Sequence, residues 1–216
     1  MAVEEYLDEL QIAPDEALEA ARAASAAAGL PEIAVTPSQG KLLQVLAQMV
    51  RAKRILEIGT LGGVSTIWMA RALPARGRVV TLEADRKHFD VARANLERAG
   101  LAKRVDQRMG PALRTLPKLA AEGGAAFDFV FIDADKENTV PYFEWALRLS
   151  RPGAAIVVDN VVRDGRILDA KSRDVQIRGM RRFHERLARE KRVSATTLQT
   201  VGSKGYDGFT LALVLE

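Results

Sequence analysis

The stretch Arg54–Ala72, RILEIGTLGGVSTIWMARA, decides how the chain is read. Ile55-Leu56-Glu57-Ile58 is an apolar run of strand length. Gly59, Gly62 and Gly63 follow, and then Val64, Ile67, Trp68 and Leu73 recur at helical spacing. Strand, glycine turn and helix make the start of a βα unit, whose turn lies at the carboxyl edge of a parallel sheet, where ligands bind. The glycines do not fall in the G-x-G-x-x-G order of a dinucleotide loop. Glu57 argues the same way, because a carboxylate at the mouth of a phosphate-cradling loop repels pyrophosphate and attracts a cation. The alternative is a structural turn with an exposed glutamate, since glycine punctuates many βα junctions.

Working outward, residues 1–51 read as a helical preface. Pro14, Asp15 and Glu16 open an alanine-rich helix that runs to Ala28 and stops at Gly29. A loop from Pro31 to Pro37 precedes a helix over Ser38–Arg51, with Leu42, Leu43, Leu46, Met49 and Val50 as its apolar side. From residue 52 onward strands and helices alternate. Strands are expected at Arg78–Glu83, Arg104–Arg108, Phe127–Ile132 and Ala155–Val158, the last entered through a Pro152-Gly153 turn. Helices are expected at Arg86–Ala99, Pro111–Ala121 and Asn138–Leu149. Two late runs, Ala195–Thr200 and Phe209–Leu215, joined by a Gly-Tyr-Asp-Gly turn, are too close for a crossover and form an antiparallel edge. The expectation is one α/β domain, doubly wound, with a mostly parallel sheet.

Composition narrows the function classes. The chain of 216 residues has no cysteine, which excludes disulfides and thiolate metal sites, and its two histidines are far apart in sequence. No run approaches the roughly 18 apolar residues of a membrane span. The acidic start MAVEEYLDEL is unlike a signal peptide, so a cytoplasmic location is the expectation. The net charge of +4 is concentrated in Arg163–Arg192, which suits an acidic substrate or RNA. Ile177, Met180, Phe183 and Leu187 form an apolar stripe there, so the same arginines also read as a solvated helix face.

Glu57, Glu83, Asp133 and Asp159 all fall at or near strand ends, and four acids on one rim argue for a site. Glu83 lies near the roughly 20-residue spacing beyond Gly59 at which an acid meets a ribose diol. An acidic rim without a phosphate loop suits S-adenosylmethionine, which carries a sulfonium and an ammonium but no phosphate. Asp133, Asp159 and Asn160 are hard oxygen ligands of the kind Mg²⁺ and Ca²⁺ choose. Coordination there would lower the pKa of a substrate hydroxyl, and Lys136 could take its proton. Asp159-Asn160 as a helix cap and Lys136 as an exposed lysine are the alternatives.

Glu57-Ile-Gly-Thr-Leu-Gly-Gly-Val-Ser65, Phe131-Ile-Asp-Ala-Asp-Lys136 and Val158-Asp-Asn-Val161 resemble the family of metal-dependent catechol and caffeoyl-CoA O-methyltransferases. The resemblance runs from Val35 to the C-terminus. It implies a Rossmann-like methyltransferase fold with seven strands, and a homodimer. It also implies that Val35, Glu57, Gly59, Thr60, Ser65, Glu83 and Ala112 hold S-adenosylmethionine, with Asp133, Asp135 and Tyr142 as further cofactor or substrate positions. Asp133, Asp159 and Asn160 would hold a divalent metal, Mg²⁺ or else Ca²⁺ or Mn²⁺, and Lys136 would be the catalytic base. The expected reaction is methyl transfer to a catechol-like vicinal diol such as caffeate or a flavonoid. Some bacterial members of the family methylate hydroxyuridine in tRNA, and a non-catalytic cofactor-binding protein is the third alternative. The plant enzymes' CoA-contacting basic residues near the N-terminus have no counterpart here.

Overall fold

The computed structural model describes residues 2–216. Three helices come first: α1 (Ala2–Gln11), α2 (Glu16–Ala27) and α3 (Pro37–Met49). Asp15 caps α2 by accepting from the amides of Ala17 and Leu18, and Thr36 caps α3 by accepting from Gln39. Then follow β1 (Arg54–Ile58), α4 (Val64–Ala72), β2 (Arg78–Glu83), α5 (Arg86–Arg98), β3 (Val105–Met109) and α6 (Ala112–Ala121). The chain continues through β4 (Phe127–Ile132), α7 (Thr139–Leu149), β5 (Ser150–Asp159), α8 (Val175–Leu187), β6 (Val193–Gly202) and β7 (Gly205–Val214). The strands form one sheet in the order β3-β2-β1-β4-β5-β7-β6. β7 runs antiparallel to β5 and β6, and the remaining pairs are parallel. No helix is long and apolar enough to cross a membrane among the described residues.

Strand period sorts the core into two layers. Leu56 and Ile58 of β1, Val80 and Leu82 of β2, and Val130 and Ile132 of β4 face the helices α6 to α8. Ile55, Val79, Phe129 and Phe131 face the opposite way, toward Val64, Ile67 and Met69 of α4 and Leu43 and Ala47 of α3. The preface thus packs into the same core layer as the sheet. α4 is buried from Val64 to Ala70, wedged between the sheet and α3, and so lacks a polar face.

The structure corrects three details. β5 starts before the Pro152-Gly153 turn: Phe127 pairs with Ser150 but Phe129 with Ala155, and a bulge containing Gly153 at φ 78 absorbs the extra residues. The late hairpin turns at Ser203-Lys204, between paired Gly202 and Gly205, while Gly205-Tyr-Asp-Gly208 lies within β7. Met49 is exposed at the end of α3 rather than on its apolar side. The basic segment includes α8, whose Ile177, Met180 and Phe183 are buried as the stripe requires, but most of its Lys and Arg residues lie in the segments on either side of that helix.

α8 seats against the turn after β4 at Gly179. A Cβ there would stand 2.2 Å from the Lys136 carbonyl oxygen and 2.7 Å from the Glu137 Cα. Helix propensity favours alanine by about 1 kcal/mol, but the obstacle is backbone and cannot swing aside. Gly179→Ala should therefore lower the urea-unfolding free energy by about 1–3 kcal/mol. Unchanged or increased stability would mean that α8 is free to shift.

Candidate active site

The carboxyl ends of β2, β1, β4 and β5 lie side by side, and the acidic residues gather there. At the centre β1 and β4 nearly touch. The Asp133 amide donates to the Ile58 carbonyl at 2.9 Å. Gly59, at φ +98, passes so close that a Cβ would fall 2.0 Å from the Asp133 carbonyl oxygen. Only glycine satisfies both the backbone angle and the approach.

Glu57 is fully buried, which removes the exposed-glutamate alternative. Period two turns it toward α4, where its Oε1 accepts from the Ser65 hydroxyl at 2.6 Å. Its Oε2 accepts from Thr66 at 2.5 Å and Thr81 at 2.6 Å. Thr81 is its register partner on β2. Burial pushes the Glu57 carboxyl up to about 7, against the opposing pull of the three hydroxyls, and the charge of Asp133 adds to the rise. Thr60 is also committed, its hydroxyl 2.6 Å from that of Thr81.

Glu83 clamps the glycine turn. Its Oε2 accepts from the amides of Thr60 at 3.1 Å and Leu61 at 2.8 Å, and its Oε1 from Asp85 at 2.9 Å. Val35 is buried beside this rim, and its carbonyl accepts from Arg22. Ala112 opens α6. Asp135 and Tyr142 meet each other: the phenol donates to Asp135 at 2.5 Å, and burial together with that carboxylate pushes the phenol pKa up.

The β4–β5 register, Ile132 opposite Val158, brings the next residues Asp133 and Asp159 out as neighbours. Lys136 donates to Asp133 Oδ1 at 2.8 Å and is only 6% exposed, which removes the exposed-lysine alternative. Its amide is held by Gln176 at 2.7 Å. Asp159 accepts from the Gln39 side chain at 2.6 Å and from the Asn160 amide at 2.8 Å. Burial, and then the charge of Asp133, raise the Asp159 pKa. No helix starts at Asp159-Asn160, so the pair is not a cap, and Asn160 turns the chain at φ 55.

Among the described residues no three His, Asp or Glu side chains cluster as a metal site. The candidate set is two carboxylates and one amide, all hard oxygen donors. Asp159, whose ionisation is opposed by burial and by the neighbouring charge of Asp133, is held with Asp133 by Lys136 and Gln39, and such neighbouring carboxylates are the donor chemistry that a divalent cation fits. Sequence reading missed Gln39, Thr66 and Thr81. Thr81 had a signal, as the one polar residue inside the apolar run of β2. Gln39 had none, because it belongs to a helix of the preface.

A family model described as O-methyltransferase matches residues 9–215. The chain is 54% identical over 213 residues to the catechol O-methyltransferase of Niastella koreensis, covering 99% of this chain and 96% of that one. It is 57% identical over 212 residues to the catechol O-methyltransferase of Mycobacterium tuberculosis, covering 98% and 94%. The crystal structure of an O-methyltransferase from Bacillus cereus in complex with SAH superposes with a TM-score of 0.97 at 56% identity, covering 99% and 97%.

Glu57 makes stability depend on pH. Its carboxyl titrates at about 7 in the folded chain against an ordinary value of 4.5. Across that window the native state keeps a proton that the unfolded chain has released, so stability falls as pH rises through it. The contribution is fully present below the lower value and gone above the upper one. In urea unfolding of the ligand-free protein from pH 5 to 8, wild type should lose up to about 3 kcal/mol relative to Glu57→Gln. Parallel pH curves for the two proteins would show that Glu57 is ionised throughout.

Proposed function

We propose that this chain, which belongs to the O-methyltransferase family, moves the methyl group of S-adenosylmethionine to one oxygen of a catechol-like vicinal diol with the help of a divalent cation. One observation carries the reading: Asp133 and Asp159 follow the paired ends of neighbouring parallel strands, with the buried Lys136 bonded to Asp133 and Asn160 next in the chain after Asp159. The names of the two catechol O-methyltransferase relatives favour adjacent hydroxyls in the acceptor.

Glu83 and the turn it clamps, with Val35, Gly59, Thr60, Ser65 and Ala112, would hold the cofactor. Glu57 would support that floor through Ser65 and Thr81. S-adenosylmethionine supplies a methyl on a sulfonium, whose S–CH₃ bond breaks as the O–CH₃ bond forms, leaving a neutral thioether. Asp133, Asp159 and Asn160 would hold the cation. A bound Mg²⁺ would supply Lewis acidity and open positions for two adjacent hydroxyl oxygens.

Lys136 Nζ takes the phenolic proton. Its amide is fixed by Gln176 and its backbone is pressed by α8, so the base has little freedom to wander. Gln39 orients Asp159, and the Asp135–Tyr142 pair braces the turn that carries Lys136. Positioning of this kind is worth effective molarities of about 10⁵ M or more.

An acceptor with one hydroxyl should be held less rigidly and lose a factor of about 10³ or more in kcat/KM against the matching diol. EDTA should abolish turnover and Mg²⁺ restore it, and Asn160→Ala should mimic the chelator while cofactor affinity persists. Equal rates for caffeate and its monohydroxy analogue, or full activity in EDTA, would sink the proposal.

Lys136 acts as a base only through its free amine, so the rate of the chemical step should rise with pH. Lys136→Ala should slow single turnover most at neutral pH and least at high pH, where solvent can take the proton. A loss that is constant across pH would instead make Lys136 a positioning residue.

A further inference from the structure

A cleft of about 480 Å³ opens beside the acidic rim, between α2, the 30–37 loop, Leu61 of the glycine turn and the Ser203-Lys204 turn of the late hairpin. Its size suits a small organic ligand. Two cations line it, Arg22 and Lys204, against one acid, Glu32, which is exposed. Neither cation forms an ion pair with a carboxylate among the described residues. Both reach a backbone carbonyl of the same loop: Arg22 that of Val35, and Lys204 that of Ile33 at 2.8 Å. Lys204 is an exposed residue whose ammonium is held by that carbonyl.

The hairpin turn that carries Lys204 is anchored. The Ser203 amide donates to Glu4 of α1 at 2.5 Å, so the turn is tied from one side and Lys204 from the other. Burial lowers the pKa of both cations. For Lys204 it is opposed first by the charge of Asp159 and then by that of Asp133. That order agrees with the topology. Lys204 comes from the β7–β6 side of the sheet, beyond Asp159, whereas Glu83 lies two strands past Asp133 on the other side. Two cations without an ion-pair partner make an anion site, and the hairpin that carries Lys204 stands next to β5, the strand that ends in Asp159.

We infer that Lys204, with Arg22, selects acceptors bearing a carboxylate, so that the substrate class is an anionic o-diphenol rather than a neutral one. This rests on the diol O-methylation proposed above and names the substrate more closely. A carboxylate a few bonds from the ring would meet the ammonium while the hydroxyls point toward Asp133 and Asp159.

The test compares caffeate with its neutral methyl ester, which share the ring and the conjugated carbonyl and differ chiefly in charge, on wild type, Lys204→Met and Arg22→Lys. Wild type should favour caffeate by about tenfold or more in kcat/KM, the worth of one charge-assisted hydrogen bond. Lys204→Met should collapse that ratio toward one. A structural role for Lys204 would lower both acceptors equally and keep the ratio. Binding of each acceptor to the protein loaded with S-adenosylhomocysteine, measured by calorimetry, should show the same preference. A wild-type ratio near one, a ratio that survives both substitutions, or a loss of S-adenosylhomocysteine affinity in Lys204→Met overturns the inference. The last result would assign the two cations to the cofactor's own carboxylate. A binding preference that persists when neither acceptor is methylated would instead sink the diol reading and leave the anion site standing.

Discussion

The close approach of β1 and β4 at Gly59 is the constraint on which the site depends. Two parallel strands with both faces buried cannot part at their ends without exposing unpaired backbone. The Ile58–Asp133 hydrogen bond keeps them together one residue past the sheet. Gly59 then leaves the strand in a conformation closed to other residues, and the Thr60–Leu61 turn comes under the carboxylate of Glu83. Asp133, held by the same contact, is thereby fixed in line with Asp159. The glycine turn and the candidate cation site are two sides of one backbone junction.

That junction sits in an unusual electrostatic setting. Glu57 and Asp159 are both buried acids, and both are pushed up. The fold makes Glu57 tolerable with three hydroxyls, from the first turn of α4 and from β2. It leaves Asp159 to Gln39, Lys136 and the field of Lys204. The two solutions differ in kind. Hydroxyls rotate to suit either protonation state of Glu57, which suits a structural floor. Around Asp159 the balancing groups are two cations and an amide, which favour its ionised form.

Much of this was legible in the sequence because it is local. β2 and β4 run where the apolar runs do, Arg78–Glu83 and Phe127–Ile132, and the acids at their ends mark the rim. The ends of β5 and β7 were not legible, for opposite reasons. Pro152-Gly153 has turn composition but is absorbed in a bulge by pairing with β4, while the real turn, Ser203-Lys204, lies between Gly202 and Gly205, one step before the Gly-Tyr-Asp-Gly stretch that reads as the turn. The buried fate of Glu57 could have been suspected from Thr81, a polar residue opposite it in register. Arg22, Gln39 and Lys204 gave no local sign. Gln39 reaches Asp159, and Arg22 and Lys204 reach the 30–37 loop, and only packing shows where these head groups land.

Those three residues change what the helical preface is. α2 and α3 bury Leu18, Ala21, Leu43 and Ala47 in the layer that covers one face of the sheet, so the preface is part of the core. It also supplies Arg22 and Gln39, and the 30–37 loop between its helices receives Lys204. The acidic rim comes from the alternating strands, whereas the positive charge that faces it across the cleft comes from the preface and the late hairpin. The strand ends alone would make a general cation-binding edge. The elements before and after the alternating units add the opposite charge, Arg22 from α2 and Lys204 from the late hairpin. Arg22 and Lys204 bond to the 30–37 loop and not to Ile58, Gly59 or Asp133, so the added charge and the β1–β4 junction are held by separate parts of the chain.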